Sequence, residues 1–186
     1  MSNSSKSAEQ LIEQLKTQVE SLQSELKKIN NVSNAEEYAR VKQQKSQARF
    51  ERIRDPEGPD SGVGYYLLDI TVTATKATLY IPVSIASSKK STGFVYQIEG
   101  TGESSIIKAD ISIQGEENTQ IKQGTISYCV IPAGKTVTFQ IQNKMRGKIG
   151  RSYKIVINRI NYKLNLNDTR YKQLNKEIST NNLQFK

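Results

Sequence analysis

The residues of this chain best suited to chemistry are a group of cations between two alternating, strand-like segments. Lys144, Arg146, Lys148 and Arg151 lie within eight positions, together with two glycines. Such cations attract phosphate, sulfate or carboxylate groups, and glycines let backbone amides approach an anion. We therefore predict that these residues form a loop that binds an anion or a partner. The alternative is a flexible loop whose charges only keep the protein in solution.

The wider charge distribution favours an anionic partner as well. The net charge is +9, and nine Lys or Arg side chains but no Asp or Glu lie between Glu117 and Asp168. A second basic segment carries Arg40, Lys42, Lys45, Arg49, Arg52 and Arg54 against Glu51 alone. A nucleic-acid-associated protein is one hypothesis that follows, because phosphate backbones bind clustered cations. An anionic glycan is the other polymer that fits, and a merely solvated basic surface is the alternative to both.

Residues that would support catalysis are few. Histidine is absent, which removes the commonest general base and metal ligand, and a single cysteine nearly excludes a structural zinc site. Cys129 lies in an alternating apolar segment, so we predict a small buried side chain rather than a nucleophile. The acidic pairs Glu36–Glu37 and Glu116–Glu117 are expected in a first helical turn and in a polar turn. We predict a protein that is not an enzyme and uses no cofactor or metal.

Apolar residues near the N-terminus recur every three or four positions, which is the spacing of a heptad seam. The residues of this seam are Ile12, Leu15, Val19, Leu22, Leu26 and Ile29, with Ala8 before them. We predict a coiled-coil helix in residues 1–33. A helix of three heptads spans about 33 Å and is marginal alone in water, so we expect self-association; the alternative is packing on its own domain.

The number of helices in this coiled coil stays open. Ile12 and Val19 at position a with leucine at position d favour two helices. Leu26 at position a and Ile29 at position d favour more than two.

Residues 34–54 are predicted to form a second, basic helix. Tyr38, Val41 and Ala48 form its weak apolar face, and Asn34 with Glu37 resembles a capping pair. Residues 55–64 contain two prolines and three glycines, which are excluded from a helix interior or a central strand. We predict that this segment is a linker between a helical stalk and the rest of the chain.

Residues 65–166 alternate between apolar and polar side chains in seven or eight short segments. This pattern predicts a mainly β fold, an antiparallel β-sandwich of the immunoglobulin-like or jelly-roll kind. The apolar phase changes at Thr75–Lys76, which requires a turn, a bulge or a crossing between sheets, and again at Asn158–Arg159, where we expect a bulge. Pro82 predicts an edge or bulged strand.

Residues 167–186 are predicted to form a short helix and a polar tail. Asp168 would cap the helix, and Tyr171, Leu174 and Ile178 would form its apolar side. The segment after Ser179 is rich in asparagine, and we expect it to be disordered.

Three stretches carry a resemblance to a known class of protein. They are Thr71–Pro82, the segment that begins with the turn Ile131-Pro-Ala-Gly134, and Tyr153–Tyr162. Together they resemble immunoglobulin-like β-sandwich modules of bacterial exported and surface proteins, over residues 66–165. The resemblance implies a surface, spacer or adhesive role and assigns no functional residue.

The leading functional hypothesis is a non-enzymatic, oligomeric structural or binding module. Its coiled coil would display the β-sandwich at a bacterial surface, in a filament or in a phage-like particle. A carbohydrate-binding sandwich is a further alternative, with Tyr65, Tyr80 and Tyr162 as exposed platforms for a sugar.

The expected location depends on whether a signal has been removed. No apolar run approaches the roughly 18 residues that span a bilayer, and the N-terminus shows no signal peptide. We therefore expect a cytoplasmic or virion protein, or a cell-surface or extracellular one if a signal has been removed.

Overall fold

Strands dominate the structure. The computed structural model describes residue 10 and residues 12–24, 37–53, 61–87, 91–114 and 119–186. The chain divides into two units, Met1–Asn34 and Ala35–Lys186. In the described residues of the second unit the strands are β1 (Ala39–Arg52), β2 (Ser61–Ala74), β3 (Leu79–Pro82), β4 (Ile85–Ala86), β5 (Phe94–Gly100), β6 (Ser104–Gln114), β7 (Thr119–Gln123), β8 (Ile126–Ile131), β9 (Thr136–Lys148), β10 (Ser152–Tyr162), β11 (Lys172–Leu174), β12 (Ile178–Ser179) and β13 (Leu183–Gln184).

These strands form three sheets. The four-stranded sheet has the order β1-β2-β9-β6, and the three-stranded sheet has the order β3-β8-β7. In the six-stranded sheet, β10 pairs with β5 and also with the short strands β11, β12 and β13, while β4 lies at the edge beside β5. The paired strands are antiparallel except for β4 and β5. The prediction of a mainly β, antiparallel, sandwich-like fold is therefore confirmed.

The core lies between the four-stranded sheet and the other two sheets. Alternate residues of β2 are fully buried, as period-two patterning requires of a strand with one inner face. The main apolar cluster joins Leu68 and Ile70 of the four-stranded sheet to Ile131 of the three-stranded sheet and to Phe94 and Ile157 of the six-stranded sheet. The four-stranded sheet thus packs one of its faces against the core, and its other face points outward.

Both predicted phase changes correspond to structural features. Strand β2 ends at Ala74 in one sheet and β3 begins at Leu79 in another, so the first change is a crossing between sheets. The pairing of β10 with β5 shifts register between Ile157 and Arg159, which is the irregularity expected there. Pro82 ends β3, an edge strand of the three-stranded sheet, as the missing proline amide requires.

The prediction of a basic helix over residues 34–54 is wrong. Residues Ala39–Arg52 form β1, which is paired with β2 along its length. The register shifts between Gln43 and Lys45, and this bulge breaks the alternation that would have revealed a strand. Its Lys, Arg, Gln and Ala residues are good helix formers, so pairing with β2 overrides local propensity.

The predicted boundaries on either side of the β region are also wrong. Residues 61–64, assigned to the linker, begin β2, and the rest of that linker, residues 55–60, lies outside the described residues. Gly62 and Gly64 serve packing rather than flexibility, because an added Cβ would collide with the rings of Phe50 and Phe185 respectively.

Residues 172–185, named here the return segment, form strands instead of a helix and a disordered tail. Leu174, Ile178 and Phe185 are buried, and β11, β12 and β13 each pair with β10. Asp168 accepts a hydrogen bond from the amide of Asn165 at 3.0 Å, which is a turn contact rather than a helix cap. Strands of two or three residues are too short to show a period, so the sequence did not reveal them.

The described part of the first unit is a single helix, α1, over residues 12–24. It is about 20 Å long, shorter than the predicted stalk, and in the single chain no second helix of the described residues pairs with it to form a coiled coil. Leu26 and Ile29 of the predicted seam lie outside the described residues. No helix in the described ranges has the length and apolar character needed to cross a membrane.

Candidate functional site

Strand β9 carries three of the four predicted anion-binding residues. Lys144, Arg146 and Lys148 alternate along the strand with buried residues, so all three face outward. The predicted loop is therefore mostly strand, with its turn at residues 149–150. Arg151 is exposed and follows that turn, outside β9. Gly147 faces inward beside Tyr153, so it does not offer an open anion cradle.

We call the outward side of the four-stranded sheet the outer face. The strand register places charged side chains from all four of its strands there, and most are basic. The basic ones are Arg40, Lys42, Lys45, Arg49, Lys108, Lys144, Arg146 and Lys148, and the acidic ones are Glu51, Asp69 and Asp110. The predicted basic segment 40–54 thus joins the predicted cluster on β9, through sheet pairing rather than through a helix.

One line of direct cross-strand neighbours concentrates this charge. Arg49 of β1 pairs with Tyr65 of β2, Tyr65 pairs with Lys144 of β9, and Lys144 pairs with Lys108 of β6. We call these four residues the basic row. Since neighbouring strands lie about 4.8 Å apart, the row extends about 15 Å across the sheet.

The ring of Tyr65 lies close to two of these cations. The guanidinium carbon of Arg49 lies 4.1 Å from the centre of the Tyr65 ring, and Nζ of Lys144 lies 5.4 Å from it. A ring face attracts cations through its negative quadrupole, so both contacts orient the side chains. The result is an aromatic ring and a guanidinium group stacked at the middle of an outward-facing basic surface.

The charges of the row are only partly balanced. Lys108 contacts Asp110 at 2.5 Å, and farther along β9 Lys148 contacts Glu103 at 3.1 Å. Within the described part of the chain, no carboxylate is recorded within 4.0 Å of Arg49, Lys144 or Arg146. These three cations are available to an incoming anion.

Two open concavities lie along the outer face. The first has a volume of about 800 Å³, and the residues that line it include Arg49, Tyr65, Lys108, Asp110 and Lys144. The second, of about 690 Å³, is lined by residues that include Arg40, Lys42 and Lys176. Both are open to solvent, so they fit an extended ligand better than a small enclosed one.

The predicted sugar platforms do not form a common surface. Tyr162 is fully buried in the main cluster, which rules it out as an exposed ring. Tyr80 lies on β3 in the three-stranded sheet, whereas Tyr65 lies on the four-stranded sheet. Tyr65 is therefore the single predicted platform on the outer face, where cations surround it.

The apolar seam of α1 is a second candidate surface. Ile12, Leu15, Val19 and Leu22 each expose about half of their side chains, with exposed fractions of 52%, 53%, 50% and 59%. Among the described residues the other exposed large apolar side chains are Ile53 and Ile107, with exposed fractions of 37% and 48%. Four of six such side chains therefore lie along one line of one helix.

Burial raises the pKa values of several ionisable groups in the core. Burial raises the pKa of the Tyr66 phenol, and the nearby Tyr153 raises it further. Burial likewise raises the pKa of the Cys129 thiol, from 9.0 to about 11. Cys129 is fully buried, as predicted, and a thiol with this pKa is protonated at neutral pH.

The buried thiol gives a pH-dependent prediction for stability. Between pH 9.0 and about 11 the unfolded chain loses the Cys129 proton while the folded chain keeps it, so stability falls as pH rises. The loss at the upper end amounts to about 2 kcal/mol. Denaturant unfolding at several pH values should show a flatter decline for Cys129→Ala than for the wild type. Parallel declines would contradict the assignment, because the tyrosines and lysines titrate in both proteins.

The described residues bring together no group of three or more side chains suited to hold a metal ion. The arrangement on the outer face is suited to binding by charge and stacking. No protein-family model, curated protein or solved structure matches this chain.

Proposed function

We propose that the protein is a non-enzymatic module that self-associates through α1 and displays several β bodies for binding or for building a larger structure. The observation that carries the proposal is the line of half-exposed apolar side chains along α1. A short helix is marginal alone in water, and covering this line would stabilise it. The resemblance to immunoglobulin-like surface modules supports a display role of the same kind.

The choice of a second copy as the partner rests on the spacing of the line. Ile12, Leu15, Val19 and Leu22 follow intervals of three, four and three, which keep one seam facing a partner helix. β-Branched residues at position a with leucine at position d favour a pair of helices. Polar residues surround the seam, and Lys16 contacts Glu13 at 3.9 Å on the exposed surface.

Self-association would change how the β body binds. Each copy contributes one outer face, so two or more weak sites would act on the same polymer or surface. Linked sites gain avidity because the second binding event becomes intramolecular. A module of this kind needs no strong single site, which agrees with the open concavities of the outer face.

Light scattering on the full chain tests the proposal. The wild type at micromolar concentration should have a multiple of the chain mass of 20.9 kDa. The double variant Leu15→Glu/Leu22→Glu should be a monomer, because it places two charges in the seam. Gln14→Glu/Gln18→Glu is the matched control, since it adds the same charge outside the core positions and should remain associated.

Two results would overturn this function. The first is a monomeric wild type at every concentration measured. The second is an oligomer whose mass the seam variant leaves unchanged, which would place the interface on another part of the molecule.

A further inference from the structure

The basic row has an excess of charge that the folded chain does not neutralise by itself. Lys144 and Lys108 are direct cross-strand neighbours, and like charges in this position destabilise a sheet. Asp110 balances Lys108, while Arg49 and Lys144 have no carboxylate recorded within 4.0 Å among the described residues. An anion placed along the row would relieve this repulsion, so the row favours a bound anion over an empty face.

The row also offers planar groups, which charge alone would not require. The Arg49 guanidinium carbon lies over the Tyr65 ring, 4.1 Å from its centre, so a guanidinium group and an aromatic ring lie together in the row. Nucleic-acid bases stack on aromatic rings and on guanidinium planes, and such stacking tolerates any sequence. An acidic glycan could use the cations of the row but has no aromatic base to stack there.

The surroundings of the row fit an extended chain. Along β9, Lys144 and Arg146 are two residues apart, which spaces their side chains by about 7 Å. They form a line of cations beside the stack, and Arg40 and Lys42 of β1 line the second concavity farther along the same sheet. An open, shallow face of this kind admits a single strand with its bases turned toward Tyr65 and its phosphates toward the lysines and arginines.

We infer that the basic row binds single-stranded nucleic acid without sequence specificity. Arg49 and Tyr65 provide the stacking platform, and Lys144, Lys108 and Arg146 contact phosphates. This inference names a ligand for the β body and does not depend on self-association through α1, because every residue that it uses lies on one chain.

Fluorescence anisotropy with a labelled oligothymidylate of about 16 nucleotides tests the inference on the full chain. Arg49→Ala/Lys144→Ala should weaken binding and lower the slope of log affinity against log salt by about 0.7, because Lys144 makes one phosphate contact while Arg49 stacks. Lys122→Ala/Arg170→Ala is the matched control: it removes two exposed cations that lie outside the basic row, and should leave the slope near that of the wild type.

Substitution of Tyr65 separates stacking from charge. Tyr65→Leu should weaken oligothymidylate binding about 5- to 100-fold and leave heparin binding unchanged, while Tyr65→Phe keeps the ring and should bind like the wild type. Thermal unfolding of each variant shows whether it is folded. The same titrations in the monomeric Leu15→Glu/Leu22→Glu background separate the affinity of a single basic row from the avidity of several linked copies.

Three outcomes would overturn the inference. One is the absence of oligothymidylate binding at about 0.15 M salt, where surface charges are screened within about 8 Å. Another is an equal salt slope for Arg49→Ala/Lys144→Ala and its matched control. The third is heparin binding that requires Arg49 and Lys144 together with oligothymidylate binding that Tyr65→Leu leaves intact, which would identify the row as a site for acidic glycans.

Discussion

Replacement of Phe185 by alanine is expected to lower the free energy of unfolding by about 3–5 kcal/mol. Phe185 is fully buried, with its ring centre 5.0 Å from those of Phe50 and Tyr153. Gly64 and Gly147 leave the space that the ring occupies. An added Cβ would lie 2.8 Å from the ring at Gly64 and 3.0 Å from it at Gly147. The surrounding backbone belongs to paired strands, so the cavity left by alanine cannot close easily.

The main chain of Phe185 adds to this effect. Its amide donates to the carbonyl of Arg151 at 2.9 Å, and its carbonyl accepts from the amide of Gly150 at 2.8 Å. These bonds hold the turn between β9 and β10, which follows the cations Lys144 to Lys148. Loss of the ring should therefore also weaken the support of that end of the outer face.

Denaturant unfolding followed by circular dichroism measures the change, and a thermal midpoint lowered by about 10 °C should accompany it. Lys186→Ala is the neighbouring exposed control and should stay within about 0.5 kcal/mol of the wild type. Leu183→Ala removes a half-buried side chain and should fall between the two. A Phe185→Ala variant no less stable than Leu183→Ala would show that the return segment does not close the core.

The return segment also shows where sequence patterns stop being informative. Most strands from β2 to β10 were predicted because they alternate over several residues, which indicates one inner and one outer face, whereas β7 and a separate β4 were not predicted. The contacts of Phe185 depend on Gly64 and Gly147, which are distant in sequence, and strands of two or three residues carry no period. Strand β1 was missed for a different reason, since its bulge interrupts a pattern already weak in apolar residues.

The candidate site was predictable in the same partial way. Charge density alone identified Lys144, Arg146 and Lys148, and the burial of alternate β2 residues implies that Tyr65 faces outward. Nothing local in the sequence could bring Arg49 and Lys108 beside Lys144, because the register between strands is set by turns and by the core. The prediction that these cations lie in a loop was wrong over most of its length, because β9 continues to Lys148 and Gly147 packs beside Tyr153.

The second large effect is expected at Gly93, where the six-stranded and three-stranded sheets meet. A Cβ at this position would lie 1.9 Å from the carbonyl oxygen of Pro82. The chain cannot move aside freely, because the Gly93 carbonyl accepts from the amide of Asn161 at 2.7 Å and the Phe94 amide donates to the carbonyl of Ser84 at 3.0 Å. Gly93→Ala should therefore lower the free energy of unfolding by about 3 kcal/mol.

A second glycine variant separates this collision from backbone preference. Gly124 has φ of +59°, and a Cβ there would meet nothing within 4 Å, so Gly124→Ala should cost only the left-handed strain of about 1–2 kcal/mol. Denaturant unfolding of both variants gives the comparison, and amide exchange at Asn161 and Phe94 reports whether the junction has opened. The six-stranded and three-stranded sheets together form the layer opposite the four-stranded sheet. Equal stability of the two variants would mean that this layer tolerates separation at Gly93. Faster amide exchange confined to Gly93→Ala would show that the junction holds the two sheets together.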